Sequence, residues 1–163
     1  MIRGLKFDLR LYVLITSIDP LKLYIYEEGL VRFATEEYTN DPKKLSNNLI
    51  HLTNYSVNKE SEEFIYNESP GSYSGHKWSL STLWEYLGSV LGIHTGTVWD
   101  QTKEVCMKTI LCGHQHLQRE VTRQVQSGYN CYKLLGLDIL YDHNLKPWLL
   151  EVNIESAHPV YHC

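Results

Sequence analysis

The sequence predicts an α+β fold built on an antiparallel sheet with packed helices. Three observations carry the prediction. Strand-like runs lie near both ends of the chain, two stretches of helical spacing lie between them, and no strand–helix–strand unit repeats as a parallel sheet would require. At 163 residues the chain fits one domain with room for a real core. Its 43% hydrophobic and 21% charged residues set it apart from disordered sequences.

Each element has its own justification. Residues 6–15 open with clean alternation: Lys6, Asp8 and Arg10 on one face, Phe7, Leu9 and Leu11 on the other. That is a half-buried strand with three charges on its exposed or functional side. Residues 21–26 and 30–34 are expected to form a hairpin through Glu27, Glu28 and Gly29, with Arg32 inside the second strand. Residues 46–59 are rich in amides and hydroxyls, and 60–75 form an expected flexible acidic loop. From Leu80, the positions Leu83, Trp84, Leu87 and Leu91 recur at helical spacing. A second helix is expected from Thr97, with Asp100 as capping partner and Val98, Val105, Cys106 and Ile110 on its buried face. Residues 113–130 are more polar and predict no definite structure.

The closing stretch, GLDILYDHNLKPWLLEVN, is the most informative. Residues 137–141 and 148–153 are short, apolar and β-prone, and Asp142, His143 and Asn144 supply a turn. A hairpin centred between Asn144 and Leu145 pairs Tyr141 with Trp148, Leu140 with Leu149 and Asp138 with Glu151, and places Asn153 on the face of Glu151. Opposed like charges are destabilising, and burying them costs more unless something compensates. Two carboxylates and an amide oxygen suit Mg²⁺, which would be one compensation. A slipped register that puts one acid on a solvated face would be another, and this stretch leaves both open.

Composition narrows the function. A net charge of −4 argues against nucleic acid as partner. No apolar run reaches the length of a membrane span, and the first residues lack a signal peptide's apolar core, so a reducing, cytoplasmic setting is expected. Cys106, Cys112, Cys131 and Cys163 form no CxxC pair. The cluster Cys112, His114, His116 has no matching second half for a zinc site, and Cys106 and Cys112 are expected to be buried and inert. The chain contains neither a P-loop motif nor a dinucleotide fingerprint. Yet Lys6, Asp8, Arg10, Arg32, Thr53, Asn54 and the acidic hairpin jointly offer what phosphoryl transfer requires: cations for phosphates and carboxylates for a bridging metal. Taken singly, each is accounted for by a solvated strand face.

Five stretches together resemble the tubulin tyrosine ligase-like family of ATP-grasp enzymes: KFDLRLYV, GLVRFATEEY, HLTNYSVNK, GHKWSL and LKPWLLEVN. They stand in family order over nearly the whole chain, and HLTNYSVNK with GHKWSL is most similar to the tubulin polyglutamylases. The resemblance implies an ATP-grasp-like C-terminal portion, so that residues 1–163 are a partial catalytic domain lacking N-terminal and far C-terminal parts. It implies ATP- and Mg²⁺-dependent addition of free L-glutamate to glutamate side chains of tubulin tails through an acyl phosphate. By the same resemblance, Lys6, Phe7, Asp8, Thr53 and Asn54 hold ATP. Arg32, Ser56 and Lys77 hold the incoming glutamate. Asp138, Glu151 and Asn153 bind Mg²⁺, and Arg10 and Glu151 are the catalytic residues. A monomer acting on microtubules, in the cytoplasm or at a cilium or basal body, is expected. The alternatives are an inactive tubulin- or nucleotide-binding fragment and a glycine or tyrosine ligase of the same family. Two departures stand out: KLLGLD where the family has ELFGFD, and IESAHPVYHC after EVN where it has xSPSL.

Overall fold

The computed structural model describes residues 1–67, 71–124 and 132–154. Five strands form one antiparallel sheet: β1 (Leu5–Ile18), β2 (Leu21–Glu37), β3 (Lys77–Ser79), β4 (Lys133–Tyr141) and β5 (Pro147–Ile154), in the order β3-β2-β1-β4-β5. The helices are α1 (Asn48–His51), α2 (Tyr55–Asn58), α3 (Leu80–Glu85) and α4 (Thr95–Gln124). The α+β class and the antiparallel sheet are those the sequence predicts.

Alternation along β1 decides which face carries the core. Phe7, Leu9, Leu11, Val13 and Ile15 are all buried, and they meet Val31 and Phe33 of β2 and Leu135, Leu137 and Ile139 of β4. From the helices, Leu80 and Leu83 of α3 and Val98, Cys106 and Ile110 of α4 complete this layer. Each fully buried Leu, Ile or Phe side chain contributes about 1.5–3 kcal/mol, so this face is the main source of cohesion. Thr102 inside α4 is buried as well; its hydroxyl donates to the Val98 carbonyl and shares a 2.6 Å hydrogen bond with the Tyr141 hydroxyl, tying α4 to β4.

Several expectations need correction. No hairpin turns at Glu27–Gly29, because β2 runs straight through and the chain reverses at Asp19 and Pro20 instead. Gly29 serves a different purpose. A Cβ there would lie 2.7 Å from the Arg10 carbonyl oxygen, so glycine is needed for the close approach of β1 where the ladder is irregular. Helix α4 begins at Thr95, before Thr97, and runs on to Gln124, taking in most of the polar stretch from 113; residues 125–130 lie outside the described residues. Ser79, not a residue of that helix, makes a side-chain cap: its Oγ accepts from the Thr82 amide at the start of α3. The helix after α3 widens into a π-type turn at Tyr86–Val90, so Leu87 is buried but Leu91 is half exposed. Cys112 is exposed, because α4 turns that position away from the sheet, whereas Cys106 is buried and its thiol is pushed up to about 11 by burial. Cys131 and Cys163 lie outside the described residues.

A loop and an edge frame the opposite face. Residues 60–67 and 71–76 form neither helix nor strand; at the end of this stretch the Trp78 indole donates to the Ser74 carbonyl, and Arg3 reaches the Gly75 carbonyl while covering the Trp78 ring at 5.2 Å. At the other side, β5 is the edge strand, with Trp148, Leu149, Leu150, Val152 and Ile154 exposed. Among the described residues no helix is long and apolar enough to cross a membrane.

Candidate active site

The face of the sheet away from α4 carries charge. Asp8 of β1 stands opposite Arg32 of β2, and Arg10 of β1 opposite Asp138 of β4. Opposite charges directly across strands attract, and here both pairs are forked. Arg32 Nε donates to Asp8 Oδ1 at 3.0 Å and its Nη2 to Asp8 Oδ2; the same Nη2 reaches Asp138 Oδ2 at 2.8 Å. Arg10 Nε and Nη2 take the two oxygens of Asp138. The order Asp8–Arg32–Asp138–Arg10 is therefore alternating in sign and neutral in sum. Both carboxylate side chains are 3% exposed, so they sit in a medium where unpaired charge is costly.

The titration directions follow. Burial alone would raise the Asp138 carboxyl, but hydrogen bonds from Arg10 and Arg32 outweigh it and hold the group below the ordinary carboxylate range. The bond to Asp138 raises Arg10. Burial opposes charge on Arg32, yet its bonds to Asp8 and Asp138 win and raise it. All three groups are charged at neutral pH.

On β5, Glu151 pairs with Asp138, as the sequence predicts, and Asn153 Nδ2 lies 2.9 Å from Glu151 Oε1 and 3.4 Å from Asp138 Oδ2. The expected register at the turn is one residue off, since Tyr141 pairs with Pro147 and Leu140 with Trp148. An irregularity between Asp138 and Ile139 places Leu150 as an extra residue and restores the Asp138–Glu151 match. As donors, two carboxylates and an amide whose oxygen can be presented by a half-turn of χ form a hard oxygen set that fits Mg²⁺.

Two hollows flank the network and share Arg32 and Thr53. One, of about 180 Å³, is lined by Lys6, Asp8, Thr53, Asn54, Asp138 and Glu151, among others. The second, of about 210 Å³, is lined by Arg10, Thr53, Tyr55, His76 and Lys77, with Arg32 between the two. Lys6 is fixed by donating to the His51 carbonyl at 2.7 Å, and the Lys77 ammonium lies 5.6 Å from the centre of the Tyr55 ring. A larger open hollow beside the far end of α4 lies among Gln115, Gln118 and Arg119, with no carboxylate in its lining.

The tubulin-tyrosine ligase family model matches residues 1–158. The chain belongs to the tubulin-tyrosine ligase family. It is 47% identical to the tubulin monoglutamylase TTLL4 of Mus musculus over 157 residues, which is 96% of this chain and 13% of that protein. It is 43% identical to the tubulin polyglutamylase TTLL5 of Mus musculus over 158 residues (96% of this chain, 12% of that protein). It is 45% identical to the tubulin polyglutamylase TTLL13 of Homo sapiens over 159 residues (94% and 19%). The chain thus spans less than a fifth of the length of these relatives.

The family residues are not all brought together. Lys6, Asp8, Thr53, Asn54, Asp138 and Glu151 line one hollow, and Arg10, Arg32 and Lys77 the other. Phe7 is not among them: its ring is buried on the core face against Phe33 and Tyr141, as β-alternation demands. Ser56 is exposed on α2 and lines neither hollow.

Sequence reasoning passed over three residues. Among the described residues His51 has a buried Nε2 with no hydrogen-bond partner, and His76 lines the second hollow; they stand in HLTNYSVNK and GHKWSL, stretches in which the resemblance assigns no role to either histidine. Gly136, across from Tyr12 and one of ten glycines, sits under Arg10. A Cβ at Gly136 would meet Arg10 Cδ at 3.0 Å and Nε at 3.4 Å. Gly136→Ala is therefore expected to shift the Arg10 fork off Asp138 at a cost of about 1–3 kcal/mol. Urea unfolding of the variant measures this, and an unchanged midpoint would show that Arg10 gives way freely.

Proposed function

We propose that the chain carries the catalytic centre of a tubulin glutamylase, which joins free L-glutamate to glutamate side chains of tubulin tails at the expense of ATP, through an acyl phosphate. The observation that supports it best is the pair of hollows sharing Arg32 and Thr53 around a forked Arg–Asp network. The relatives' names, tubulin monoglutamylase and tubulin polyglutamylase, point the same way.

Lys6, Thr53 and Asn54 would bind the nucleotide in the first hollow. Asp138, Glu151 and Asn153 would hold Mg²⁺, which when bound neutralises phosphate oxygens. Arg32 and Lys77 would receive the carboxylates of free glutamate in the second hollow, where guanidinium and ammonium suit two anionic groups. Arg10 lines the second hollow, is forked to Asp138 of the first, and would stabilise charge at the reacting phosphoryl group. The amine of glutamate would then form the new amide bond as phosphate leaves. Positioning and fixed charge supply most of the acceleration in such transfers. The proposed setting is the microtubule cytoskeleton of the cytoplasm, cilia included.

A second reading is a tubulin- or nucleotide-binding segment without turnover. It is favoured by the occupation of both Asp138 oxygens by guanidinium groups, which compete with a cation. Incubating the chain with tubulin, ATP, Mg²⁺ and labelled glutamate, glycine or tyrosine separates these readings. Label from glutamate alone is expected on the tubulin tails. Label from glycine or tyrosine instead would overturn the glutamylase reading, and tubulin binding with no label would establish the second.

A further inference from the structure

Resting on that reading of the second hollow, we infer that His76 is a substrate-binding residue: its ring offers an uncharged Nε2–H donor to an oxygen of the incoming glutamate. The ring is held by its other nitrogen. The Ile65 amide donates to His76 Nδ1 at 3.0 Å, so in the neutral ring the proton resides on Nε2. The backbone is fixed as well, with His76 N–H donating to the Ile65 carbonyl and the His76 carbonyl accepting from Phe33 N–H, each at 3.0 Å. Phe64 packs along the ring at 5.6 Å with a 30° tilt, and His76 lines the hollow together with Arg10, Arg32 and Lys77. Burial, reinforced by Arg3, lowers the His76 pKa and keeps the ring neutral.

Neutrality is what this position calls for. Arg3 already opposes charge on the ring and Lys77 lines the same hollow, so a charged imidazole would add repulsion before any ligand arrived. A neutral N–H adds direction without that repulsion. A hydrogen bond to a charged group is worth about 1.5–3 kcal/mol, which is about tenfold or more in affinity.

Two substitutions divide the ring's functions. His76→Asn keeps an acceptor near the Nδ1 position for the Ile65 amide and has nothing at Nε2. His76→Gln places an amide donor near Nε2 and gives up the tether. With L-glutamate titrated in the presence of ATP and Mg²⁺, His76→Asn should melt like the wild type but bind glutamate about tenfold more weakly. Its affinity for ATP should be unchanged, and His76→Gln should recover most of the glutamate affinity. A His76→Asn chain that binds glutamate as the wild type does would leave His76 only a loop tether and overturn the inference alone. A wild type that binds no glutamate would overturn the reading of the hollow, and the inference with it. Nitrogen resonances of the ¹⁵N-histidine-labelled wild type give a measurement that needs no variant. The His76 proton should be on Nε2, and its signal should move on addition of glutamate; a proton on Nδ1, or a signal that stays still, would overturn the assignment.

Discussion

Glu151→Gln should abolish Mg²⁺-dependent ATP binding while leaving the chain as stable as before. Glu151 is exposed on the edge strand, and its carboxylate receives the Asn153 amide at 2.9 Å. No buried partner loses its counter-charge when Glu151 is neutralised, so the change in unfolding free energy should stay within about 0.5 kcal/mol. The metal set, by contrast, loses one of its two negative charges. Substitutions that only support metal ligands cost about 10–100-fold in affinity, and removal of a charged ligand should cost at least as much. Titration calorimetry with ATP, with and without Mg²⁺, reads the effect directly. Equal Mg²⁺-dependent affinity in wild type and variant would remove Glu151 from the metal set. Asp138 would be a poorer first test, because its carboxylate also neutralises Arg10 and Arg32, and loss of binding there would mix metal affinity with stability.

The opposition of Asp138 and Glu151 could be read in the sequence, but the compensation for it could not. Alternation in β1 fixed Asp8 and Arg10 on one face because period two allows no other arrangement of Phe7, Leu9 and Leu11 in the core. From there, only the strand order was needed to set Arg10 against Asp138 and Arg32 against Asp8. Strand order is a long-range property, joining residues 128 apart in the first case, and no local pattern encodes it. The buried carboxylate posed as needing a cation is thus met by two guanidinium groups. The proposed Mg²⁺ would share Asp138 with them.

Bulges account for the other departures. The Asp138–Glu151 pair was expected from a turn centred one residue late, and it holds because Leu150 is extra in β5. Were the ladder regular there, Leu150 would stand opposite Asp138 and Glu151 would fall on the other face, so the irregularity is what puts the acid on the charged side. In β2, Glu27, Glu28 and Gly29 carry the composition of a turn but lie in an irregular stretch of a continuous strand. A glycine between charged residues signals either, and the deciding contact, the Arg10 carbonyl, is remote in sequence.

Arg32→Ala is expected to cost about 3–5 kcal/mol of stability, the largest effect of any substitution at the site. Arg32 is the member that joins two carboxylates, each 3% exposed, and it is itself 11% exposed. Without it, Asp8 loses its forked partner and Asp138 retains only Arg10 as a guanidinium neighbour. Arg32→Lys should restore part of the loss, since one ammonium keeps the charge but cannot serve both acids with planar forks. The sign of the pH dependence separates this account from simple loss of packing. In the wild type Asp138 is depressed below its ordinary value of 3.8, so its contribution is full above that value and is lost as pH falls through the folded pKa. In Arg32→Ala one cause of that depression is gone and the folded pKa rises. The stability gap between the two chains should therefore be widest at neutral pH and narrow as pH falls below the ordinary value of 3.8, with protonation of the carboxyl further advanced in the variant than in the wild type. Urea unfolding of both chains across pH 3–7 tests this, and a gap independent of pH would mean that Arg32 acts by filling space between the hollows and not by its charge.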